Sequence, residues 1–177
     1  MRHFSLETLD YDGNEFQAVK ERYWAHVYTI RKQLPHQLYQ LHRNYSLHDC
    51  VIGNSASFRD GRDLGLIIEG VTNGFIADTD HCVFFLHFID IKSGSLDRAV
   101  GREIHVAEVD LGDVGSAVLR LLHRDSECNY LEDELAFADF DFYMRDSRAP
   151  QTNRRTRPGW CGRTSTLGNE KIYYERN

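Results

Sequence analysis

The sequence contains no apolar run approaching the roughly 18–20 residues that span a bilayer, so no membrane-spanning helix is expected. Its first residues, Met1-Arg2-His3-Phe4-Ser5-Leu6-Glu7, lack the apolar core of a secretory signal, which points to a cytoplasmic location. The four cysteines, Cys50, Cys82, Cys128 and Cys161, are too far apart for a Cys-x-x-Cys zinc or redox pair. In a reducing cytoplasm they read as free thiols, with Cys50 and Cys82 acting as small apolar strand residues. Neither an internal repeat nor a low-complexity tract is present. Missing too are a Gly-x-Ser-x-Gly elbow, a Walker loop and a Gly-x-Gly-x-x-Gly fingerprint. The nine histidines form no His-x-x-x-His and no His-Glu-x-x-His. A site built from His48, His87 and His105 across strands is predicted by nothing local, so no metal and no cofactor is expected.

What remains is an ordinary globular composition. At 177 residues the chain suits one domain, with 41% apolar and 27% charged residues. The net charge of -6 argues against a nucleic-acid protein, which would carry a basic patch or stripe. Charge is unevenly divided. Residues 1–150 hold 15 Lys+Arg against 25 Asp+Glu, a net of -10, and residues 151–177 hold 6 against 2, a net of +4. After Pro150 the apolar pattern stops. Residues 1–150 therefore read as one domain and 151–177 as a basic, mobile tail, within which Ile172–Tyr174 could dock locally.

Along the chain the apolar spacing changes once. A short edge strand over His3–Leu6 and a turn at Tyr11–Asn14 lead in. Asn14 then reads as a helix N-cap, with Gln17 completing a capping box. Phe16, Val19, Tyr23, Val27, Ile30 and Leu34 recur at steps of three and four, one stripe of a helix. Pro35 interrupts it and opens a second short helix with Leu38, Leu41 and Tyr45 inward. From Leu47 the period shortens to that of strands. Cys50–Ser57 and Leu64–Glu69 flank an Asp60-Gly61 hairpin turn. His81–Ile91 is apolar on both faces, as a central strand would be. Ile104–Leu111 switches its inward set from Ile104 and Val106 to Val109 and Leu111, the mark of a bulge. Residues 114–123 fit either a helix or a strand, and the neighbouring hairpins favour strand. Leu135–Met144 alternates Ala136, Ala138, Phe140, Phe142 and Met144 with outward Asp139 and Asp141, a half-buried antiparallel pattern. The expected fold class is α+β, an N-terminal helical arm packed on a meandering antiparallel sheet of five to six strands. Phe84, Phe88, Phe140 and Phe142 are expected to share one core with Tyr23, Val27 and Ile30.

Two sets of residues carry chemistry. His48-Asp49, at the helix-to-strand changeover, resembles half of the site of metal-dependent histidine–aspartate phosphohydrolases, which place the dipeptide on a helix. Here it sits at a junction. The structural reading is that Asp49 accepts backbone N–H bonds in a turn and His48 bonds nearby. The acids Glu132, Asp133 and Glu134, with Glu108 and Asp110, could supply a general acid/base pair, though charge runs more often form a solvated face. Arg154-Arg155-Thr156-Arg157 reads as a solubilising part of the tail.

The run Leu34-Pro35, Leu38, Leu41, then Ser46-Leu47-His48-Asp49 and Ile52, with the acid-interleaved strand at Leu135–Phe142, resembles small uncharacterised bacterial proteins of the domain-of-unknown-function type. The likeness covers Phe16–Met144. It implies a helical arm before an antiparallel sheet in a bacterial cytoplasmic protein. The function these readings lead to is a non-catalytic protein-interaction module, immunity-like, acting on another protein through an acidic surface at Glu108, Asp110, Glu132, Asp133 and Glu134. The alternative is a metal-dependent hydrolase using His48 and Asp49.

Overall fold

The structure is a computed structural model that describes residues 2–4, 13–70, 82–113 and 115–146. The fold is α+β: helices α1 (Gly13–Ile30) and α2 (His36–Asn44) precede a six-stranded antiparallel sheet. Its strands are β1 (Val51–Phe58), β2 (Asp63–Gly70), β3 (Cys82–Ser95), β4 (Ile104–Leu111), β5 (Ala117–Arg124) and β6 (Tyr130–Asp146). The ambiguous segment is strand β5. Spatial order is β1-β2-β3-β6-β5-β4, two three-strand meanders joined through β3 and β6. No described helix is long and apolar enough to cross a membrane.

The α1 stripe buries Val19, Tyr23, Val27 and Ile30, and α2 adds Leu38 and Leu41. They form one core with Leu66, Ile68, Phe84, Leu86, Phe88, Leu121, Leu135, Phe137 and Phe140. Phe142 is partly buried against that core, so the four phenylalanines and the helix stripe meet as expected. Cys50 and Cys82 are buried free thiols, and burial pushes the Cys50 thiol up to about 12. Cys161, the tail after residue 150 and the lead-in over residues 5–12 lie outside the described residues.

Local chemistry explains several departures from regular pairing. At the β1–β2 hairpin, Arg59, Asp60 and Gly61 all have positive φ, the left-handed region that Asp and Gly tolerate best. Strand β4 does carry a bulge, but between Ile104 and Val106 rather than after Val106, where the switch of the inward set is expected. Another sits in β3 between Ile91 and Ser93, where a Cβ on Gly94 would come within 2.0 Å of the Glu134 carbonyl oxygen. Only glycine lets the two backbones approach that closely. On β6, Leu135, Phe137 and Phe140 are all buried, so the single alternating face expected from Ala136 to Met144 divides between two faces. The helix start also differs. The α1 helix already includes Gly13, so Asn14 lies within it, and the Gln17 side-chain amide donates forward to Glu21 at 3.2 Å.

The two outer strands meet at one end. Asp49 N–H donates to the Ile104 carbonyl at 2.9 Å, Ile104 N–H to Cys50 at 2.8 Å, Ile52 N–H to Arg102 at 3.2 Å and Gly101 N–H to Ile52 at 2.6 Å. These bonds pair β1 with the chain entering β4, so the sheet curves back towards itself over the helices. Farther along β4, the Tyr23 hydroxyl of α1 accepts the Val109 N–H at 2.7 Å, which satisfies a donor on the outer edge of that strand.

Candidate functional site

Two stretches of surface and near-surface gather functional groups. The first is the end of β4, where residues 2–4, α1 and β5 converge. Glu108 is fully buried, and its carboxylate accepts three backbone N–H groups, from Arg2 at 2.9 Å, His3 at 3.0 Å and Phe4 at 2.7 Å. A buried carboxylate is tolerable only when hydrogen-bonded in this way. Asp110, 3% exposed, faces His26 Nε2 at 3.0 Å, Arg2 Nη1 at 3.1 Å and Arg120 Nη1 at 3.4 Å. Arg120 is itself buried on β5 and donates through Nε to Glu134 at 2.6 Å. Burial alone would raise the Asp110 carboxyl. Hydrogen bonds from His26 and the Leu111 N–H, with the charge of Arg2, hold it below the ordinary value.

His3 completes this cluster. Its ring lies 4.8 Å from that of His26 and 5.2 Å from that of Tyr23. Partial burial lowers its pKa. The ligand atoms of His3, His26 and Asp110 all fall within 4.8 Å of one another. Beside them is an open depression of about 250 Å³ lined by Arg2, His3, Val19 and Arg22. Behind it, Tyr23 bonds His42 Nε2 at 2.6 Å. Desolvation takes His42 down to about 4 and the Tyr23 phenol well up, so both are neutral at pH 7. Since Tyr23 already accepts from Val109, its proton goes to His42.

The second stretch is the outer face of β2, β3 and β6. Cross-strand pairing sets Ile67, Phe85 and Tyr143 in one row, with Phe85 and Tyr143 rings 5.3 Å apart. Val83 and Ile89 flank them on the same face of β3. All five are half-buried, and none belongs to the core that the helices cover. Acidic and basic groups rim the row: Glu69 and Arg145 pair with Val83, and Asp139 and Asp141 on β6 are exposed beside Ile89 and His87.

The structure separates the five acids read as one surface. Glu108, Asp110 and Asp133 are at most 3% exposed, so none of the three contributes an exposed acidic face. The correction has a physical reason, because each is spent on an internal partner. Asp133 accepts from Arg98 Nε at 2.7 Å and faces His123 Nε2 at 3.2 Å, while the buried His123 Nδ1 has no partner among the described residues. Glu132 and Glu134 are exposed. Glu108, Asp110, Arg120 and Glu134 share one end of β4–β5–β6, whereas Asp133 points to the other face of β6.

His48 and Asp49 are exposed, their side chains 57% and 63% accessible, and Nδ1 of His48 lies 2.7 Å from the Asp49 carboxylate. The His105 ring is 6.2 Å from His48, and His87 is elsewhere, 3.6 Å from Asp63. The expectation that the Asp49 carboxylate accepts backbone N–H bonds is corrected. Its side chain pairs with His48, and what the junction uses is its backbone, at φ 64 with the N–H bonded to Ile104. Sequence reading missed His3, His26, Arg2 and Arg120. Their spacing carries no motif, and only the placing of residues 2–4 and α1 against β4 brings them together. Compared with known protein families, curated proteins and solved structures, the chain matches none.

Proposed function

We propose that the protein is a non-catalytic protein-interaction module that binds a partner through the outer face of β2, β3 and β6. The observation that carries this reading is the half-buried apolar row Ile67–Phe85–Tyr143, which lies outside the core under the described helices and is bordered by exposed Asp139 and Asp141. A contiguous apolar face with a polar rim is the usual anatomy of a protein contact. The net charge of residues 1–150, -10, favours a basic partner surface, since complementary charge speeds encounter and excludes like-charged competitors. An immunity-like role in a bacterial cytoplasm, in which a small acidic domain covers a basic protein, fits that chemistry. The acidic surface in this reading is that of Asp139, Asp141, Glu132 and Glu134, not of Glu108, Asp110 or Asp133.

The metal-dependent hydrolase through His48 and Asp49 has less support. Catalytic groups need a concave pocket with further polar groups converging on it, and this dyad faces solvent on a turn.

Site-specific photo-crosslinking in cells tests the proposal. A crosslinker at Phe85 or Tyr143 is expected to give one discrete protein adduct, and one at the exposed Tyr28 of α1 none. Charge reversal by Asp139→Lys with Asp141→Lys should abolish the adduct. Adducts at Tyr28 and not at Phe85 would overturn the assignment of the face.

A further inference from the structure

We propose that His3, His26 and Asp110 form a binding site for a first-row divalent metal ion, such as Zn²⁺ or Co²⁺, with open coordination positions facing the adjoining depression. This inference is independent of the interaction face and goes beyond it.

With metal–ligand bonds of about 2.1 Å, neighbouring ligands in a tetrahedral or octahedral site sit roughly 3.0–3.4 Å apart. His26 Nε2 and Asp110 Oδ1 already lie 3.0 Å apart, so an ion can replace the proton between them. His3 has its ligand nitrogen within 4.8 Å of both. Its side chain is half-buried and borders the depression, so a small rotation about its side-chain bonds closes the remaining distance. Its backbone is already held, because Glu108 accepts both its N–H and that of Phe4. The third ligand is therefore anchored close to the other two before any ion arrives.

Around the cluster stand Glu108, Asp110 and Glu134 against Arg2, Arg120 and, at the rim of the depression, Arg22, so the charges balance when the imidazoles are neutral and the donor set itself must favour the ion. Two imidazoles and a carboxylate suit zinc, cobalt or iron(II) and not magnesium or calcium, which take oxygen ligands. Arg2, Arg22 and Arg120 all oppose the ion by charge, and of the two on Asp110 Arg2 is the one free to move. Its side chain is 64% exposed and can leave Asp110 for solvent, while Arg120 stays on Oδ2. Three protein ligands leave positions for water on the side of Arg2 and Arg22. The ion would tie residues 2–4 to α1 and to β4, so its binding should slow hydrogen exchange at the Arg2–Phe4 amides.

The test uses the full chain without a histidine tag, stripped of metal with a chelator and titrated with Co²⁺ by absorbance and with Zn²⁺ by calorimetry. One equivalent is expected to bind, more than tenfold more weakly in each of His3→Ala and His26→Ala, and unchanged in His48→Ala. Mg²⁺ should not compete. Because His26→Ala removes a partner of a buried carboxylate, circular dichroism checks its folding, and His3→Ala carries the result if that variant unfolds. Absence of saturable binding below about 1 mM, or parent affinity in His3→Ala, would overturn the site.

Discussion

Replacing Tyr23 by phenylalanine isolates the hydroxyl that joins α1 to the edge of β4. The ring stays in place, packed against Phe4 at 5.2 Å, Trp24 at 5.8 Å and His42 at 5.5 Å between centroids. Two hydrogen bonds disappear. The Val109 N–H loses its acceptor at 2.7 Å, and His42 Nε2 loses its donor at 2.6 Å. Tyr23 is only 2% exposed, so water cannot readily take the place of the hydroxyl. A buried donor left unpaired costs about 1–3 kcal/mol, and the lost bond to a neutral imidazole roughly another 1. The sum, about 2–4 kcal/mol, is a large share of the stability of a domain this size. Urea unfolding followed by circular dichroism is the assay. With a slope of about 2 kcal/mol per molar, the midpoint should fall by roughly 1–2 M at unchanged slope. A double-mutant cycle with His42→Gln should show that the two changes are not additive. A midpoint shift below about 0.3 M would refute the reasoning, since the edge of β4 would then be satisfied without the phenol.

Acid should destabilise the protein partly through His42. Its pKa is about 4 in the folded chain and 6.5 when unfolded, so the unfolded state binds more protons between those values. The stability it supplies is complete above pH 6.5 and is lost as pH falls towards 4, with a ceiling of about 3 kcal/mol for the half-buried ring. His3 and His105, lowered by burial as well, act in the same direction. The stability difference between parent and His42→Gln should shrink steadily from pH 7 to pH 4.5, and parallel pH profiles would contradict this. At the junction, Asp49→Ala should cost about 1 kcal/mol from its left-handed backbone, while Asp49→Gly should cost nothing, since the carboxylate itself is exposed. Equal losses in the two variants would mean that the side chain, not the backbone, holds the turn.

The local chemistry of the sequence was enough for the helices and most strands. A stripe from Val19 to Ile30, a proline after Leu34, an Asp60-Gly61 turn and a doubly apolar run after His81 each reflect short-range sterics or a period of 3.6 or 2 residues. That β4 carries a bulge was legible from its change of inward parity, but the place was not, since the register shifts before Val106 rather than after it. Tertiary structure alone decided the rest. Nothing local distinguishes a buried acid from a solvated one, and Glu108, Asp110 and Asp133 read like Glu132 and Glu134 until their partners at Arg2, Arg120 and Arg98 are placed. Strand order, too, depends on β6 returning to lie beside β3, a pairing between residues 39 (Ser95 and Glu134) to 64 (Cys82 and Asp146) positions apart. The His3–His26–Asp110 cluster draws on three segments whose meeting depends on Tyr23 and Glu108 fastening α1 and residues 2–4 to one strand. Periodicity reports which face of an element is apolar. Which faces and ends then meet is set by packing among distant elements, and the chemistry of this site arises only at that level.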